Sequence, residues 1–318
     1  MTAVGDIDPD PGDWEHDSLQ IGEARDGAPV HIPVAVINGA DDGPTLFVQA
    51  ASDGNELNGV GVVGRVVTQL DPHQLSGSLI IIGIANWHAY QRAEHLNPID
   101  NTKLNRAFPG DHEGASSERI AAMIFDIAKK ADVALDLHQG GTSRMIHEVR
   151  VRCGRHHDLH SDCLDLAKTF NCGYILDKQG PDGQLARVLA DEGIPIVDPE
   201  LGGCHGWDDE SIEIGTRGVF NVLKDYGLLD GEVEPGSQYR VGDFDQYHSP
   251  CGGLVHFEAE LEEQVSVGDP LFTVKSVFGE EKEQVTAKSD GIFWRSRRLP
   301  QVASGEYVCS VGTDVDDV

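Results

Sequence analysis

Residues 45–59 read TLFVQAASDGNELNG, an apolar β-rich run that passes directly into a polar turn. Two further runs have the same form, DVALDLHQGG at 132–141 and IPIVDPELGG at 194–203. In open α/β sheets ligands bind at the carboxyl ends of the strands, so the polar residues after these runs are the first candidates for a site. The three strand ends therefore predict one polar cluster at one edge of a sheet.

The runs around these three predict the fold class. From about residue 30 to 226, apolar β-rich runs alternate with stretches of helical period, which is typical of an α/β sheet covered by helices. Several strand runs are almost continuously apolar, as in strands buried on both faces. The predicted strands are HIPVAVI (31–37), TLFVQAA (45–51), SLIIIGIA (78–85), DVALDLH (132–138) and IPIVDPE (194–200), and the predicted helices are GVGVVGRVVTQL (59–70), SSERIAAMIFDIAKK (116–130), CLDLAKTF (163–170), QLARVLADEG (184–193) and GVFNVLKDYG (218–227).

The composition changes after Gly227, where the chain becomes rich in Gly, Asp and turn formers and loses helical period. Beyond it, short alternating runs separated by turn dipeptides such as Gly268-Asp269 predict a small all-β domain. We therefore divide the chain into an N-terminal extension with the first strands (1–30), an α/β domain (31–230) and a C-terminal β domain (231–318).

The acidic balance limits the partners. The chain has 54 acidic against 24 basic residues and a formal net charge of −30, spread along its length, which excludes nucleic acid. The N-terminal MTAVGDIDPDPGDWEHD has no basic stretch followed by an apolar run, and no apolar stretch reaches membrane-spanning length. A cytoplasmic protein without a membrane partner is expected.

The size of this charge excess predicts a salt-adapted protein from a high-salt cytoplasm. Salt screens the self-repulsion of so many carboxylates, and dilute buffer removes that screening. Dialysis into dilute buffer is therefore expected to unfold the protein, which far-UV circular dichroism would detect. An unchanged spectrum at low salt would contradict the prediction.

Asp53 and Glu56 stand three residues apart where a strand turns into a helix, so the two carboxylates can converge on one cation. His138 can add a nitrogen and leave a fourth position for water, as in catalytic zinc sites. Either feature alone is more often a solvated helix start or a hydrogen-bonded core histidine, so the combination carries the prediction. Glu200 is the candidate general base, the alternative being a capping or ion-paired carboxylate.

The loop that contains Asn105 and Arg106 supplies candidate substrate ligands. An arginine fork beside an amide donor suits a substrate carboxylate, the alternative being a surface arginine in an ion pair. Cys204 and His205 could form a thiol–imidazole pair, but no orienting partner for it can be identified. The stretch from Cys153 to Cys163 is rich in histidine, yet its spacing fits a polar loop that leads into a helix better than a second metal site.

The order of motifs resembles the succinylglutamate desuccinylase/aspartoacylase family of the zinc carboxypeptidase-like superfamily, over residues 45 to 318. The matching segments are DGNELNG (53–59), NPIDNTKLNRAFPG (97–110), SSERIA (116–121), ALDLHQGG (134–141) and PELGG (199–203). The resemblance implies a three-layer, mixed-sheet α/β domain (phosphorylase/hydrolase-like) and hydrolysis of the amide of an N-acylated amino acid. It also implies one zinc ion held by Asp53, Glu56 and His138, a substrate carboxylate held by Asn105 and Arg106, and metal-activated water with Glu200 as base and acid.

The chain departs from the family pattern at two positions. The family's metal loop usually begins with histidine, as H-G-x-E, where this chain has Asp53. A second substrate-binding arginine is replaced by His95, which leaves Arg92 as a substitute. Two carboxylate ligands formally neutralise a divalent ion, so its water should ionise at a higher pH, and Mn²⁺ or Co²⁺ become alternatives to Zn²⁺.

Two other functions stay open at this point. One is a metal-dependent carboxypeptidase that acts on peptides, and the other is a protein that binds a small molecule without catalysis. In the main interpretation the partner is a small N-acyl amino acid, and a homo-oligomer is compatible with the sequence.

Overall fold

A computed structural model describes residues 1–203 and 206–317, so that Cys204 and His205 lie outside the described residues. The strands up to residue 203 are β1 (Asp13–Glu23), β2 (Pro29–Asn38), β3 (Asp41–Ala50), β4 (Ser76–Ile82), β5 (Val133–Leu137), β6 (Ser143–Met145), β7 (Glu148–Val151), β8 (Tyr174–Asp177) and β9 (Ile196–Glu200). The helices are α1 (Asn58–Gln69), α2 (Trp87–Tyr90), α3 (Ser116–Ala128), α4 (His160–Phe170), α5 (Leu185–Asp191) and α6 (Asp209–Asp225). All five predicted strands and all five predicted helices are confirmed.

The centre of the main sheet is parallel. β3 pairs in parallel with β4 on one side and with β5 on the other, and β5 pairs in parallel with β9. Antiparallel neighbours flank this centre, with β2 and then β1 beyond β4, and β7 beyond β9. The sheet is therefore mixed, as predicted, and the carboxyl ends of β3, β5 and β9 lie at the same edge.

The central strands are buried on both faces. Leu46, Phe47 and Val48 of β3 and residues 79–82 of β4 are almost completely inaccessible to solvent. Helix α6 contacts both α1 and α4, and α3 contacts α5. Covering both faces explains why these strands read as continuous apolar runs instead of alternating ones.

The C-terminal strands are β10 (Tyr239–His248), β11 (Gly253–Phe257), β12 (Gln264–Val265), β13 (Pro270–Lys275), β14 (Glu281–Thr286), β15 (Gly291–Arg297), β16 (Gln301–Val302) and β17 (Tyr307–Asp317). β14, β13, β11 and β16 form a separate four-stranded sheet. β10 instead pairs in parallel with β8, and β17, β15 and β12 follow, so the main sheet reaches thirteen strands. Because this sheet crosses residue 230, the predicted domain boundary there stays a prediction.

The helices are short for a membrane span. Over residues 1–203 and 206–317, none is both long and apolar enough to cross a bilayer.

Candidate active site

The three predicted strand ends meet at one place. Gln49 of β3 lies opposite Asp136 of β5, and a parallel bridge joins His138 to Glu200 at the ends of β5 and β9. The His138 amide donates to the Pro199 carbonyl oxygen at 2.8 Å. The polar residues that follow the strands are thus neighbours in space, as the sequence predicts.

The loop that carries Asp53 and Glu56 is held tightly between β3 and α1. The Glu56 amide donates to the Asp53 carbonyl oxygen at 3.1 Å and closes a turn. A Cβ atom added to Gly54 would overlap the backbone at Ala89 and Tyr90, so this position requires glycine. The side-chain oxygen of Gln139 accepts the backbone N–H groups at the start of α1 at 2.9 and 3.0 Å. The loop is therefore fixed from both sides.

Two carboxylates and one imidazole nitrogen converge inside this loop. His138 Nδ1 lies 3.0 Å from Glu56 Oε2 and 4.0 Å from Asp53 Oδ2. Asp53 is completely buried, and among the described residues its carboxylate oxygens have ion-pair contacts, to Lys103 and to histidines, but no hydrogen bond of good geometry. Buried carboxylate oxygens of this kind need a cation.

The far side of the His138 ring contacts a third carboxylate, that of Asp136. His138 Nε2 lies 3.0 Å from Asp136 Oδ2, and Gln49 and Asn105 donate to the same carboxylate at 2.8 and 3.3 Å. Both ring nitrogens thus lie 3.0 Å from a carboxylate oxygen, Nε2 from Asp136 and Nδ1 from Glu56, and because a carboxylate only accepts, both nitrogens can carry a proton in the metal-free protein. To bind a metal, Nδ1 would have to give up its proton, while the Asp136 carboxylate would hold Nε2–H on the other side of the ring.

Donor atoms of Asp53, Glu56 and His95 lie within 4.8 Å of one another, and so do donor atoms of Asp136, His138 and Asp198. Either group could hold a divalent metal ion, and the predicted set of Asp53, Glu56 and His138 draws on both.

Burial shifts the acid–base behaviour of this cluster. Burial, and then the charge of Asp53, raises the pKa of Glu56 to about 7. Burial, and then Asp136, raises the pKa of Asp198 to about 7. Burial opposes the charged form of His138, but Asp136 and Glu56 outweigh it and hold its pKa well above the usual range. Without a metal, the cluster retains protons that ordinary carboxyl groups would release.

These pKa values predict how the stability of the metal-free protein depends on pH. A carboxyl group with a raised pKa in the folded state stabilises that state below its ordinary pKa, and the contribution is lost as the pH rises through the folded pKa. We therefore expect the free energy of unfolding in chelator to fall by about 2 kcal/mol between pH 4.5 and pH 7.5. Denaturant titration at constant high salt measures it.

A divalent metal at the proposed site would replace the proton retained by Glu56, so saturating metal should remove the part of this fall that Glu56 contributes. Glu56→Gln should remove part of it, because an amide does not titrate. An unfolding free energy in chelator that stays level or rises over the same pH range would contradict the prediction.

Glu200 lies next to this cluster and is paired with Arg150. The Arg150 guanidinium contacts the carboxylates of Glu200 and Glu148, which face each other across β9 and β7. Burial alone would raise the pKa of Glu200, but Arg150 and His138 outweigh it and lower the pKa. Glu200 is therefore ionised at neutral pH, as a proton acceptor must be.

The three predicted substrate ligands lie in different surroundings. Arg106 is exposed, and residues 1–203 and 206–317 place no acidic group within ion-pair distance of its guanidinium. Asn105 is buried, and its side-chain oxygen accepts the Leu185 amide at 2.9 Å while its nitrogen faces His138. Arg92 is 60% exposed and pairs with Glu94 at 3.0 Å. The roles of all three stay predictions. Among the described residues, Arg106 has no acidic partner, although its Nη1 donates to the Asn105 carbonyl oxygen.

Sequence reasoning missed several members of the cluster. Lys103 Nζ lies 2.8 Å from Asp53 Oδ2, and His95 Nδ1 lies 3.6 Å from Asp53 Oδ1. The D-x-H spacing of Asp136 and His138 was a usable signal, because alternate residues of a strand share a face. His95 and Lys103 lie in a loop, where no periodic pattern marks their neighbours.

A cavity of about 400 Å³ opens on the other side of Arg150. Ser143, Glu148 and Arg150 contribute to it from the α/β part, and β15 contributes Trp294 and Arg295. Glu148 accepts a hydrogen bond from Trp294 Nε1, and Arg295 Nη2 donates to Ser143 Oγ at 2.9 Å. The C-terminal strands thus form one wall of a polar cavity that begins at the partner of Glu200.

The sequence profile of the succinylglutamate desuccinylase/aspartoacylase catalytic domain matches residues 42–226, more than half of the chain. The chain belongs to this family. The matched range contains Asp53, Glu56, His138 and Glu200, so the cluster described above lies within the family's catalytic domain.

Relatives and solved structures extend the similarity over the full length. An N-alpha-acetyl-L-2,4-diaminobutyric acid deacetylase from Halomonas elongata is 28% identical, covering 96% of this chain and 95% of the relative. The product-bound ectoine utilization protein EutE (DoeB) from Ruegeria pomeroyi is 26% identical, with a TM-score of 0.89 and coverage of 97% and 98%. A succinylglutamate desuccinylase from Silicibacter sp. is 26% identical, with a TM-score of 0.86 and coverage of 98% and 100%.

Proposed function

We propose that the protein is a metal-dependent deacylase that hydrolyses the amide bond of an N-acylated amino acid, releasing an acid and a free amine. The observation that carries the proposal is the convergence of Asp53, Glu56 and His138 beside the ionised Glu200. A relative that is named as a deacetylase of an acetylated diamino acid supports the same reaction class.

The metal would be held by Asp53, Glu56 and His138. When bound, it would polarise the amide carbonyl oxygen and make a water molecule more acidic. Zn²⁺ is the first choice, and an oxygen-rich ligand set also suits Mn²⁺ or Co²⁺. Asp136 would hold the His138 ring in place through Nε2, and Asn105 would support Asp136 from behind.

Glu200 would move the proton. Its carboxylate would accept a proton from the attacking water and return it to the nitrogen of the leaving amine. Arg150 keeps Glu200 ionised before the reaction and restrains its side chain. A backbone bridge joins Glu200 to His138, so the attacking water would lie between the Glu200 carboxylate and the metal site.

Arg106 would bind a carboxylate of the substrate. Its guanidinium is exposed and has no acidic partner in the described part of the chain, so it can offer two parallel donors. Replacing Arg106 by Ala is expected to raise KM about tenfold to a hundredfold, with a smaller change in kcat. Steady-state kinetics measure both constants.

Exposed arginines elsewhere provide the control for this variant. Arg119→Ala on α3 should leave KM within twofold, since Arg119 is exposed and its Nε donates to the nearby Gly114 carbonyl oxygen. Arg106→Lys should restore binding incompletely, because an ammonium group cannot form the bidentate contact. An unchanged KM in Arg106→Ala would remove Arg106 from the substrate site.

The decisive experiment is a hydrolysis screen of the purified protein in high salt with Zn²⁺, Mn²⁺ or Co²⁺. Acetyl, succinyl and aspartyl derivatives of amino acids, including the monoacetylated diamino acids, should include substrates that release free amine. Blocked dipeptides should not be cleaved. Cleavage of the dipeptides alone would indicate a carboxypeptidase, and thermal stabilisation by these compounds without turnover would indicate a binding protein.

A further inference from the structure

The first position of the metal loop has an unusual neighbour. Asp53 stands where the family usually has histidine, and Lys103 Nζ lies 2.8 Å from its Oδ2 atom. Lys103 is 25% exposed, whereas Asp53 is completely buried. The ammonium group therefore reaches from the edge of the site into its interior.

The backbone around Lys103 holds it there. The Lys103 carbonyl oxygen accepts the Arg106 amide at 3.0 Å and closes the 3-10 turn Leu104–Arg106. The next residue, Leu104, is completely buried and anchors the turn in the core. A side chain attached to so fixed a point loses less freedom when it forms an ion pair.

His95 is a poorer partner for Asp53. Its Nδ1 atom is 3.6 Å from Oδ1, beyond hydrogen-bond distance, and its side chain is 45% exposed. A buried carboxylate without a cation is strongly destabilising, so one close cation is required in the metal-free protein. Lys103 is that cation.

The charges of the site can be counted with and without this lysine. A loop with neutral histidine at position 53 would present one negative charge, from Glu56, to a divalent metal. Asp53 makes this two negative charges, and Lys103 returns the sum to one. The positive charge of Lys103 therefore offsets the additional negative charge that an aspartate ligand brings to the metal.

We propose that Lys103 is a positioning residue that acts as the counter-ion of Asp53 and restores the charge that the metal would experience beside a neutral imidazole. The proposal rests on the metal site of the proposed function. The two positions are therefore coupled, because an aspartate at position 53 requires a lysine at position 103 to balance its charge.

The test compares Lys103→Met with Lys103→Arg, and uses Lys129→Met as the matched control. Lys129 pairs with Asp126 at 3.3 Å on the surface of α3. Two quantities are measured at constant high salt: the Zn²⁺ dissociation constant, by competition with a chelator, and the thermal midpoint in excess chelator.

Lys103→Met should bind Zn²⁺ about tenfold more tightly, because a cation a few ångströms from the metal has been removed. In chelator its midpoint should fall by about 3–6 °C, because Asp53 is left buried without a partner. Lys103→Arg keeps the charge and should resemble the wild type in both measurements, as should Lys129→Met.

A double variant separates charge pairing from a general packing defect. Asp53→Asn combined with Lys103→Met removes both charges, so its midpoint in chelator should lie above that of Lys103→Met alone. If the double variant is no more stable, or if Lys103→Met matches the wild type in midpoint and Zn²⁺ affinity, the proposal is overturned. Loss of Zn²⁺ binding in Lys103→Met would also overturn it.

If the metal site itself does not exist, the two measurements would give a different result. A wild-type protein that binds no divalent metal at saturating concentration would refute the proposed metal chemistry. The midpoints in chelator would still decide whether Asp53 and Lys103 form a pair, because they need no metal.

Discussion

Replacing Glu200 by Gln is expected to lower kcat about a thousandfold while the protein stays folded and retains its metal. Glutamine has nearly the same shape and can still accept a hydrogen bond from Arg150, but it cannot take a proton from water. General acid–base groups contribute about a hundredfold to ten-thousandfold to such reactions. Steady-state kinetics on the best substrate of the screen measure the loss, and metal analysis and circular dichroism check the two unchanged properties.

The same substitution elsewhere gives the control. Glu213 on α6 forms a surface ion pair with Arg65 at 2.8 Å, and Glu213→Gln should keep kcat within twofold. If Glu200→Gln retained more than a tenth of the wild-type kcat, Glu200 would be the ion-paired carboxylate that the sequence also allowed. If it lost both metal and activity, its role would be structural.

The central part of the site was predictable from sequence because strand geometry is local. Each of β3, β5 and β9 lies in a mostly apolar run, so its end is visible in the sequence. Parallel pairing then places all three ends at one edge, and the residues that follow them, Asp53, His138 and Glu200, become neighbours. No long-range information is needed for this step.

The partners of Glu200 were not predictable in the same way. β7, with the sequence EVRV, is a four-residue run that contains a buried Glu148 and a largely buried Arg150. These charges are tolerated because they pair with each other, with Glu200 and with Trp294, which follows almost 150 residues later. A run of this length with charged residues at alternate positions is typical of a solvent-exposed strand. Its burial here depends on the tertiary ion pairs.

The C-terminal region shows the limit of composition as a guide to domains. Turn dipeptides and short alternating runs correctly indicated strands after residue 231. They did not show that β10 adds to the free edge of β8, since strand pairing depends on an edge built from residues 174–177. The polar start of α6 was missed for a related reason, because its buried face includes Ser211, Gly215 and Thr216 instead of large apolar residues.

Metal analysis of Asp53→Ala tests the site where this chain departs from its family. Wild-type protein purified under metal-replete conditions should contain one transition metal ion per chain. Asp53→Ala should lose it, with a dissociation constant at least about a hundredfold weaker, because a ligand is removed and the Lys103 ammonium is left without its counter-ion. Activity should fall with metal occupancy.

An exposed aspartate provides the matched control for this loss. Asp42 has a side chain that is 95% exposed, and Asp42→Ala should keep full metal content. His138→Ala should lose the metal as Asp53→Ala does, since both side chains are proposed ligands of the same ion. A metal-free wild type, or an Asp53→Ala protein that retains its ion, would show that Asp53 is not a ligand. In the second case Asp53 and Lys103 would be a structural ion pair beside a metal held by Glu56 and His138, with His95 as the remaining nearby donor.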